Sequence, residues 1–97
     1  MEIKKFIACF SFDERKIGSC IPGVYSIHNK YSNKNYIGQG AIISSRFSRS
    51  KNCLLRGTHW TEHLQSSFKE YGKEAFEFII IRKENSPSKR NRLEKYY

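Results

Sequence analysis

Many side chains of types that can perform chemistry are spread along this chain, among them five of four different types. Two are the phenols of Tyr25 and Tyr36, which lie in a stretch without acidic residues, GVYSIHNKYSNKNYIGQG. Arg46 and His59 follow, and Glu94 stands near the end. A guanidinium can bind a phosphate through two parallel hydrogen bonds, an imidazole can move a proton near neutral pH, and a carboxylate can hold Mg²⁺. The set is therefore suited to chemistry on a phosphate.

Each of these residues also has an ordinary structural interpretation when it is taken alone. Tyr25 and Tyr36 could be a cross-strand aromatic pair in a hairpin. Glu94 stands four residues after Arg90, which is the spacing of an exposed ion pair on a helix. Arg46 could be a solvated surface cation. Their order and the elements that carry them must decide between the two interpretations.

Short runs of β-branched and aromatic residues predict the strands. GVYSIH and NYIG, separated by the turn-forming NKYSNK, predict a β-hairpin that carries Tyr25 and Tyr36. AFEFIIIRK predicts a further, largely buried strand. The run IKKFIACFSF, residues 3–12, fits either an extra strand or a short amphipathic helix, because its periodicity does not decide between them.

Three helices are predicted around these strands. AIISSRFSRSKN places Ile43 and Phe47 on one face of a first helix that carries Arg46. WTEHLQSSFKEY predicts a second helix that ends at Gly72, with an apolar face made by Trp60, Leu64, Phe68 and Tyr71. SPSKRNRLEKYY predicts a last helix, capped by Ser86 with Pro87 in its first turn, and this helix carries Glu94.

The order of these elements predicts an α/β fold of the α+β type. It is a small three-stranded sheet, mixed or antiparallel, flanked by helices in the order β-β-α-α-β-α. We expect one domain over residues 22–97 and an N-terminal extension over residues 1–21. The sequence leaves open whether the chain is a piece of a longer protein.

The charge of the chain indicates a polyanionic partner. Eighteen Lys and Arg against nine Asp and Glu leave a formal charge of +9, and basic residues occur in both halves. Nucleic acid, an anionic membrane and an acidic protein would all be attracted. A membrane is the weakest of these candidates, because no apolar run approaches about 18 residues. The N-terminus has no signal-peptide core, so we expect an intracellular, cytoplasmic protein.

The cysteines and histidines do not form a recognisable metal motif. Cys9, Cys20 and Cys53 are odd in number and lack the paired spacing of a structural zinc site, so we expect buried free thiols. His59 and His63 have a zinc-compatible spacing of four, but no third ligand is evident.

The two half-motifs GVY at 23–25 and YIG at 36–38 resemble the paired signature of the GIY-YIG nucleases, with Val24 in place of isoleucine. Arg46, His59 and Glu94 follow in the order typical of the catalytic domain of phage-type homing endonucleases. The stretch HWTEHLQSSFKEYGKEAFEFIII is also similar to that subgroup, and the resemblance covers roughly residues 22–97.

The resemblance implies an endonuclease that hydrolyses DNA with one Mg²⁺ ion, for which Mn²⁺ could substitute. Glu94 would hold the metal and Arg46 the scissile phosphate. Tyr25 would act as general base, Tyr36 would position water or phosphate, and His59 would bind a phosphate oxygen or assist proton transfer. Further DNA contacts are expected from the two basic runs RSKNCLLR and SKRNR, at Arg49, Lys51, Arg56, Lys89 and Arg90.

The chain departs from this family pattern at Ser50, where many relatives carry His or Tyr, and it lacks the Asn that often follows the glutamate. A catalytically weak or silent nucleic-acid-binding module is therefore the alternative, and docking of an acidic protein is a third hypothesis. A double-strand break would need a second protomer or successive nicks. Homing relatives also use a separate DNA-binding region, which residues 1–97 do not contain.

Overall fold

The computed structural model describes residues 6–14 and 20–96, which form one sheet with helices on both faces. A 3₁₀ turn, Lys73–Ala75, precedes the last strand. In chain order the elements are β1 (Ala8–Ser11), β2 (Gly23–Asn29), β3 (Lys34–Gly40), α1 (Ile43–Arg56), α2 (Glu62–Tyr71), β4 (Phe76–Lys83) and α3 (Pro87–Tyr96).

The sheet confirms the predicted α+β fold but corrects its strand count and element order. It has four strands in the order β1-β4-β2-β3, and every neighbouring pair is antiparallel. The additional strand, β1, comes from the predicted N-terminal extension and pairs with β4 from Ala8↔Ile80 to Ser11↔Glu77. Its four residues alternate between half-buried and exposed, which is the period of a strand. Four residues are too few to reveal the two-residue alternation of a strand from the sequence.

The helices lie close to their predicted positions, with two differences. α1 runs four residues further than the predicted segment, until Gly57 adopts φ 77° and donates its N–H to the carbonyls of Cys53 and Leu54. α2 begins at Glu62, so Trp60 precedes it, and Trp60 and Tyr71 are exposed instead of buried. α3 begins at Pro87 as predicted, where the missing N–H of proline costs no helical bond.

The alternation of side chains along the central strands separates two apolar layers. On one face, Phe76, Phe78 and Ile80 of β4 pack with buried residues of α1 and α2 such as Phe47 and Leu64. On the other face, a smaller cluster lies under α3, formed by Val24, Ile79, Ile81, Ile37 and Leu93. β3 is an edge strand, so residues from both faces can meet around it.

The cysteines are free, as predicted, but they are not buried. Cys9 and Cys20 are exposed and Cys53 is half-buried. Partial burial and the neighbouring Glu77 carboxylate raise the pKa of the Cys9 thiol to about 11, which keeps it protonated and unreactive at neutral pH.

Within residues 6–14 and 20–96, none of the helices has the length and apolar character needed to cross a membrane.

Candidate active site

A single cleft of about 350 Å³ at the β3 edge brings together all five residues that the sequence singled out. Tyr25 comes from β2, Tyr36 from β3, Arg46 from α1 and Glu94 from α3, while His59 lies in the loop before α2. The residues that join them in the lining include Gly38, Gln39, Ser50, Trp60 and Thr61.

Tyr25 is fixed by close packing against the sheet and α1. Its side chain is 6% exposed, and the edge of its ring meets Phe47 at a centroid distance of 5.0 Å. Gly38 pairs with it on β3, and a Cβ at residue 38 would lie 2.5 Å from the Tyr25 hydroxyl oxygen. The glycine of YIG is therefore required because the tyrosine of GVY lies directly over it.

The environment of Tyr25 keeps its phenol protonated at neutral pH. Burial raises the pKa above its ordinary value of 10.0, the Arg46 guanidinium lowers it, and the Glu94 carboxylate raises it again. Action as a general base at neutral pH would require a lowered pKa. Arg46 acts in that direction, but in the protein alone burial outweighs it.

Arg46 reaches the cleft across the end of β3. A Cβ at Gly40 would lie 2.9 Å from its Cγ, so the second glycine after Tyr36 leaves room for the arginine stem. Arg46 is exposed, and none of the described carboxylates lies within ion-pairing distance of it. Its guanidinium is thus available to bind a phosphate through two hydrogen bonds.

His59 is held by three hydrogen bonds, of which the one at Nδ1 fixes its tautomer. Its backbone N–H donates to Gln65 Oε1 at 3.0 Å, and the N–H of Thr61 donates to its Nδ1 at 3.0 Å. Because Nδ1 accepts this bond, neutral His59 carries its proton on Nε2, which lies 3.0 Å from Ser50 Oγ. Burial lowers the pKa of His59 below its ordinary value. His59 is therefore a neutral donor to Ser50.

This contact places Ser50 in the wall of the cleft. Ser50 is 1% exposed, and its hydroxyl accepts from the imidazole that lines the same cleft. The small serine leaves the space that the His59 ring occupies. The zinc-compatible spacing of His59 and His63 does not place both on one helix, because His59 precedes α2. The described residues hold no group of three or more His, Cys, Asp or Glu arranged for a metal ion.

Glu94 is positioned by the attachment of α3 to β3. One helical turn before it, Arg90 donates to Gln39 Oε1 at 2.9 Å and to the carbonyls of Glu84 and Asn85 at 3.3 and 2.9 Å. Gln39 in turn donates to Asn91 Oδ1 at 2.9 Å. Arg90 is 7% exposed and its guanidinium is already enclosed by protein acceptors, which disfavours the DNA contact that we expected of it.

The other predicted DNA contacts lie at the surface or near it. Arg49, Arg56 and Lys89 are exposed, whereas Lys51 is half-buried with its ammonium 5.3 Å from the centre of the Phe12 ring. Sequence reasoning missed the roles of Gln39 and Trp60 in the cleft. Their positions in the sequence could have indicated these roles, since Gln39 directly follows YIG and Trp60 directly follows His59.

The donor groups of the cleft fit one Mg²⁺ ion. Glu94 is half-buried and has no ion-pairing partner among the described residues, so the alternative interpretation as half of an ion pair with Arg90 does not apply. Mg²⁺ is commonly bound by one or two carboxylates, with waters and substrate phosphate oxygens in the other positions. A lone carboxylate beside a free arginine suits that arrangement better than a cage made only of protein ligands.

A lone carboxylate, a free guanidinium and two phenols around an open cleft define a nuclease-type site. Residues 7–97 match the family model described as "Putative endonuclease segE, GIY-YIG domain". The chain therefore belongs to the GIY-YIG endonuclease family. Among curated proteins, no sequence matches the chain significantly.

Two solved structures are similar to the chain over most of its length. The structure of the catalytic domain of the homing endonuclease I-TevI matches with a TM-score of 0.73 and 28% identity, over 77% of this chain and 82% of that one. A glutamate-to-alanine mutant of the catalytic domain of intron endonuclease I-TevI matches with a TM-score of 0.71 and 27% identity, over 78% of each chain.

Proposed function

We propose that this domain is a Mg²⁺-dependent endonuclease that hydrolyses phosphodiester bonds in DNA, with Mn²⁺ as a substitute metal. The observation that carries the proposal is the convergence of Tyr25, Tyr36, Arg46, His59 and Glu94 in one cleft. The likeness to a homing endonuclease supports an origin in a phage or another mobile element, acting in the host cytoplasm.

Arg46 and Glu94 supply the charges that phosphate chemistry needs. The exposed guanidinium of Arg46 binds the scissile phosphate and stabilises the charge that develops on it, and a lysine could not make the same two-pronged contact. Glu94 would hold Mg²⁺, which when bound would polarise the phosphate and help the departing oxygen. The formal charge of +9 draws DNA towards both.

The two tyrosines handle the attacking water. We assign Tyr25 to orient this water through its phenol and, after its own proton has passed to solvent, to accept the proton of the water as a phenolate. Arg46 favours the phenolate and burial opposes it. The hydroxyl of Tyr36, on the paired strand, makes only a long bond of 3.5 Å to the carbonyl of His63. It is therefore available to hold water or a phosphate oxygen. His59, as a neutral imidazole, keeps the Ser50 hydroxyl oriented in the cleft wall.

A plasmid-nicking assay tests the assignment of Glu94. We expect supercoiled plasmid to be nicked by the parent chain with Mg²⁺ or Mn²⁺ and not with a chelator. Glu94→Gln, which keeps the shape but loses the charge of the ligand, should lower the rate by about 10²-fold or more. Glu74→Gln is the matched control, because Glu74 is exposed and lies outside the cleft lining.

The binding of the same plasmid decides between the nuclease and its alternative. Salt-sensitive binding without cleavage by the parent, under any metal condition, would favour a silent nucleic-acid-binding module. Equal loss of activity in Glu94→Gln and Glu74→Gln would contradict the metal assignment. Whether a double-strand break needs a second protomer follows from the order of products, since successive nicks accumulate open circles before linear DNA.

A further inference from the structure

We propose that Trp60 is a base-stacking residue at the mouth of the cleft, and that the DNA presents an unpaired or extruded base to it beside the phosphate to be cut. This inference rests on the proposed nuclease function and names the form of DNA that the same cleft takes. The basis is an aromatic ring that is exposed, held rigidly and placed in the cleft lining.

The exposure of Trp60 is unusual for its size and position. Its side chain is 51% exposed and still lines the cleft with Tyr25, Arg46 and Glu94. The other exposed aromatic side chains of the described residues, Phe6, Tyr31 and Tyr71, are not part of that lining. An indole left open to water beside phosphate-binding groups is a surface on which a base can stack.

The ring is already in place before any ligand arrives. It stacks on the His59 imidazole at a centroid distance of 4.0 Å and an interplanar angle of 22°. His59 is itself held by its bonds with Gln65, Thr61 and Ser50. Stacking of a base on a preorganised ring avoids the loss of side-chain freedom that weakens many contacts.

Arg49 is the cation that a base would displace. Its Cζ lies 5.3 Å from the centre of the Trp60 ring, and its side chain is exposed. The contact between a cation and an exposed ring raises an equilibrium constant by only about 2- to 5-fold. Stacking of a base on an aromatic side chain raises the binding constant by about 5- to 150-fold. Stacking of the base on Trp60 is therefore favoured over the Arg49 contact, and the released guanidinium can bind the phosphate of the same strand.

The same comparison predicts which DNA is preferred. In an intact duplex the base must first break its base pair and its stacking on neighbouring bases. This cost offsets most of the free energy gained by stacking on one aromatic ring. A base that is already mismatched or single-stranded does not carry that cost. We therefore expect single strands and mismatched duplexes to engage Trp60 more readily than perfectly paired DNA.

Trp60 is the single tryptophan of the chain, so its emission reports directly on this ring. Binding of fluorescein-labelled DNA is followed by anisotropy in EDTA, which prevents cleavage, and tryptophan emission is recorded with the same DNA unlabelled. We expect quenching at saturation with a single strand or a mismatched duplex, and less with the perfect duplex. Trp60→Leu should weaken single-strand binding about 5- to 150-fold, which is about 1–3 kcal/mol.

Tyr31→Leu is the matched control, because Tyr31 is 71% exposed and lies outside the cleft lining. Trp60→Phe keeps a ring and should retain most of the affinity, which separates loss of stacking from loss of folding. DNA binding with unchanged tryptophan emission, or equal affinity of Trp60→Leu and the parent, would overturn the stacking proposal and leave the nuclease intact. Failure of the parent to bind any DNA would overturn both.

Discussion

The protonation of His59 follows from one backbone hydrogen bond. The Thr61 N–H can only donate, so Nδ1 must accept, and the proton of the neutral ring lies on Nε2 facing Ser50. The sequence identified His59 as a candidate site residue, and the structure places it in the cleft lining, but the sequence could not give this tautomer. The reason is that the loop geometry that brings Thr61 back to the imidazole is not encoded in a residue pattern.

The buried His59 predicts that acid destabilises the fold. Burial lowers its pKa below the ordinary value of 6.5, so the unfolded chain binds a proton at a higher pH than the folded one does. The His59 contribution is therefore fully present above about pH 6.5, and it is lost as the pH falls through the lower pKa of the folded state. Urea unfolding measured between about pH 8 and pH 5 checks this.

The contribution of His59 is isolated by comparing two variants. His59→Gln cannot titrate, so the free energy of unfolding of this variant should vary less with pH than that of the parent. His63→Gln is the control, because His63 is exposed on α2 and its removal should leave the parent's pH dependence in place. Parallel curves for His59→Gln and the parent would contradict the prediction.

At the scale of elements, α3 is attached to the sheet edge by a buried arginine that faces neutral acceptors. Arg90 bonds to Gln39 of β3 and to two carbonyls that precede its own helix. The residue directly after YIG therefore ties the strand of Tyr36 to the helix of Glu94. Arg90 is a positioning residue, because its contacts fix the helix that carries the proposed metal ligand.

Weakening the hydrogen bonds between α3 and β3 should raise the Mg²⁺ concentration that nicking requires before it abolishes nicking. In Arg90→Met we expect the Mg²⁺ concentration for half-maximal nicking to rise about 10- to 100-fold, as is typical when support of a metal ligand is lost. Arg90→Lys keeps the charge but cannot reach all three acceptors, so it should rescue poorly. Arg92→Met, an exposed arginine on the same helix, is the control.

The measurement is the nicking rate as a function of Mg²⁺ concentration, with circular dichroism to verify folding. Loss of rate at saturating Mg²⁺ with an unchanged half-maximal concentration would mean that Arg90 does not position the metal ligand.

The elements themselves were predictable to different degrees. The β2–β3 hairpin, β4 and α3 could be predicted because β-branched runs, Asn-rich turns and Pro87 act locally. β1 could not, since its four residues become a strand only by pairing with β4. The apolar face predicted for α2 was half right. Leu64 is buried and Phe68 packs against the core, whereas Trp60 lies before the helix and serves the cleft instead.

At the scale of the whole molecule, the excess of positive charge should make DNA binding depend steeply on salt. Each lysine or arginine that neutralises a phosphate of duplex DNA adds about 0.9 to the slope of log affinity against log salt. Lys89 is exposed on α3, the helix that also carries the cleft residue Glu94. We expect Lys89→Gln to reduce the slope by about one.

Lys73→Gln is the matched control for this charge effect. Lys73 is exposed but bonds to the Asp13 carboxylate at 3.1 Å, in the turn before β4 and outside the cleft lining. Its replacement removes the same charge and should leave the slope nearly unchanged. Anisotropy titrations at a series of salt concentrations make the comparison. Equal slopes for Lys89→Gln and the parent would exclude Lys89 as a phosphate contact.

The order of strands in the sheet bears on when a newly made chain acquires its site. Tyr25 and Tyr36 are synthesised early, but β2 pairs with β4, and Tyr25 lies opposite Ile80 in that register. β1 likewise waits for β4, which lies about 70 residues later in the chain. Glu94 emerges later still. A chain on the ribosome therefore carries no nuclease until its synthesis has passed both the central strand and the last helix.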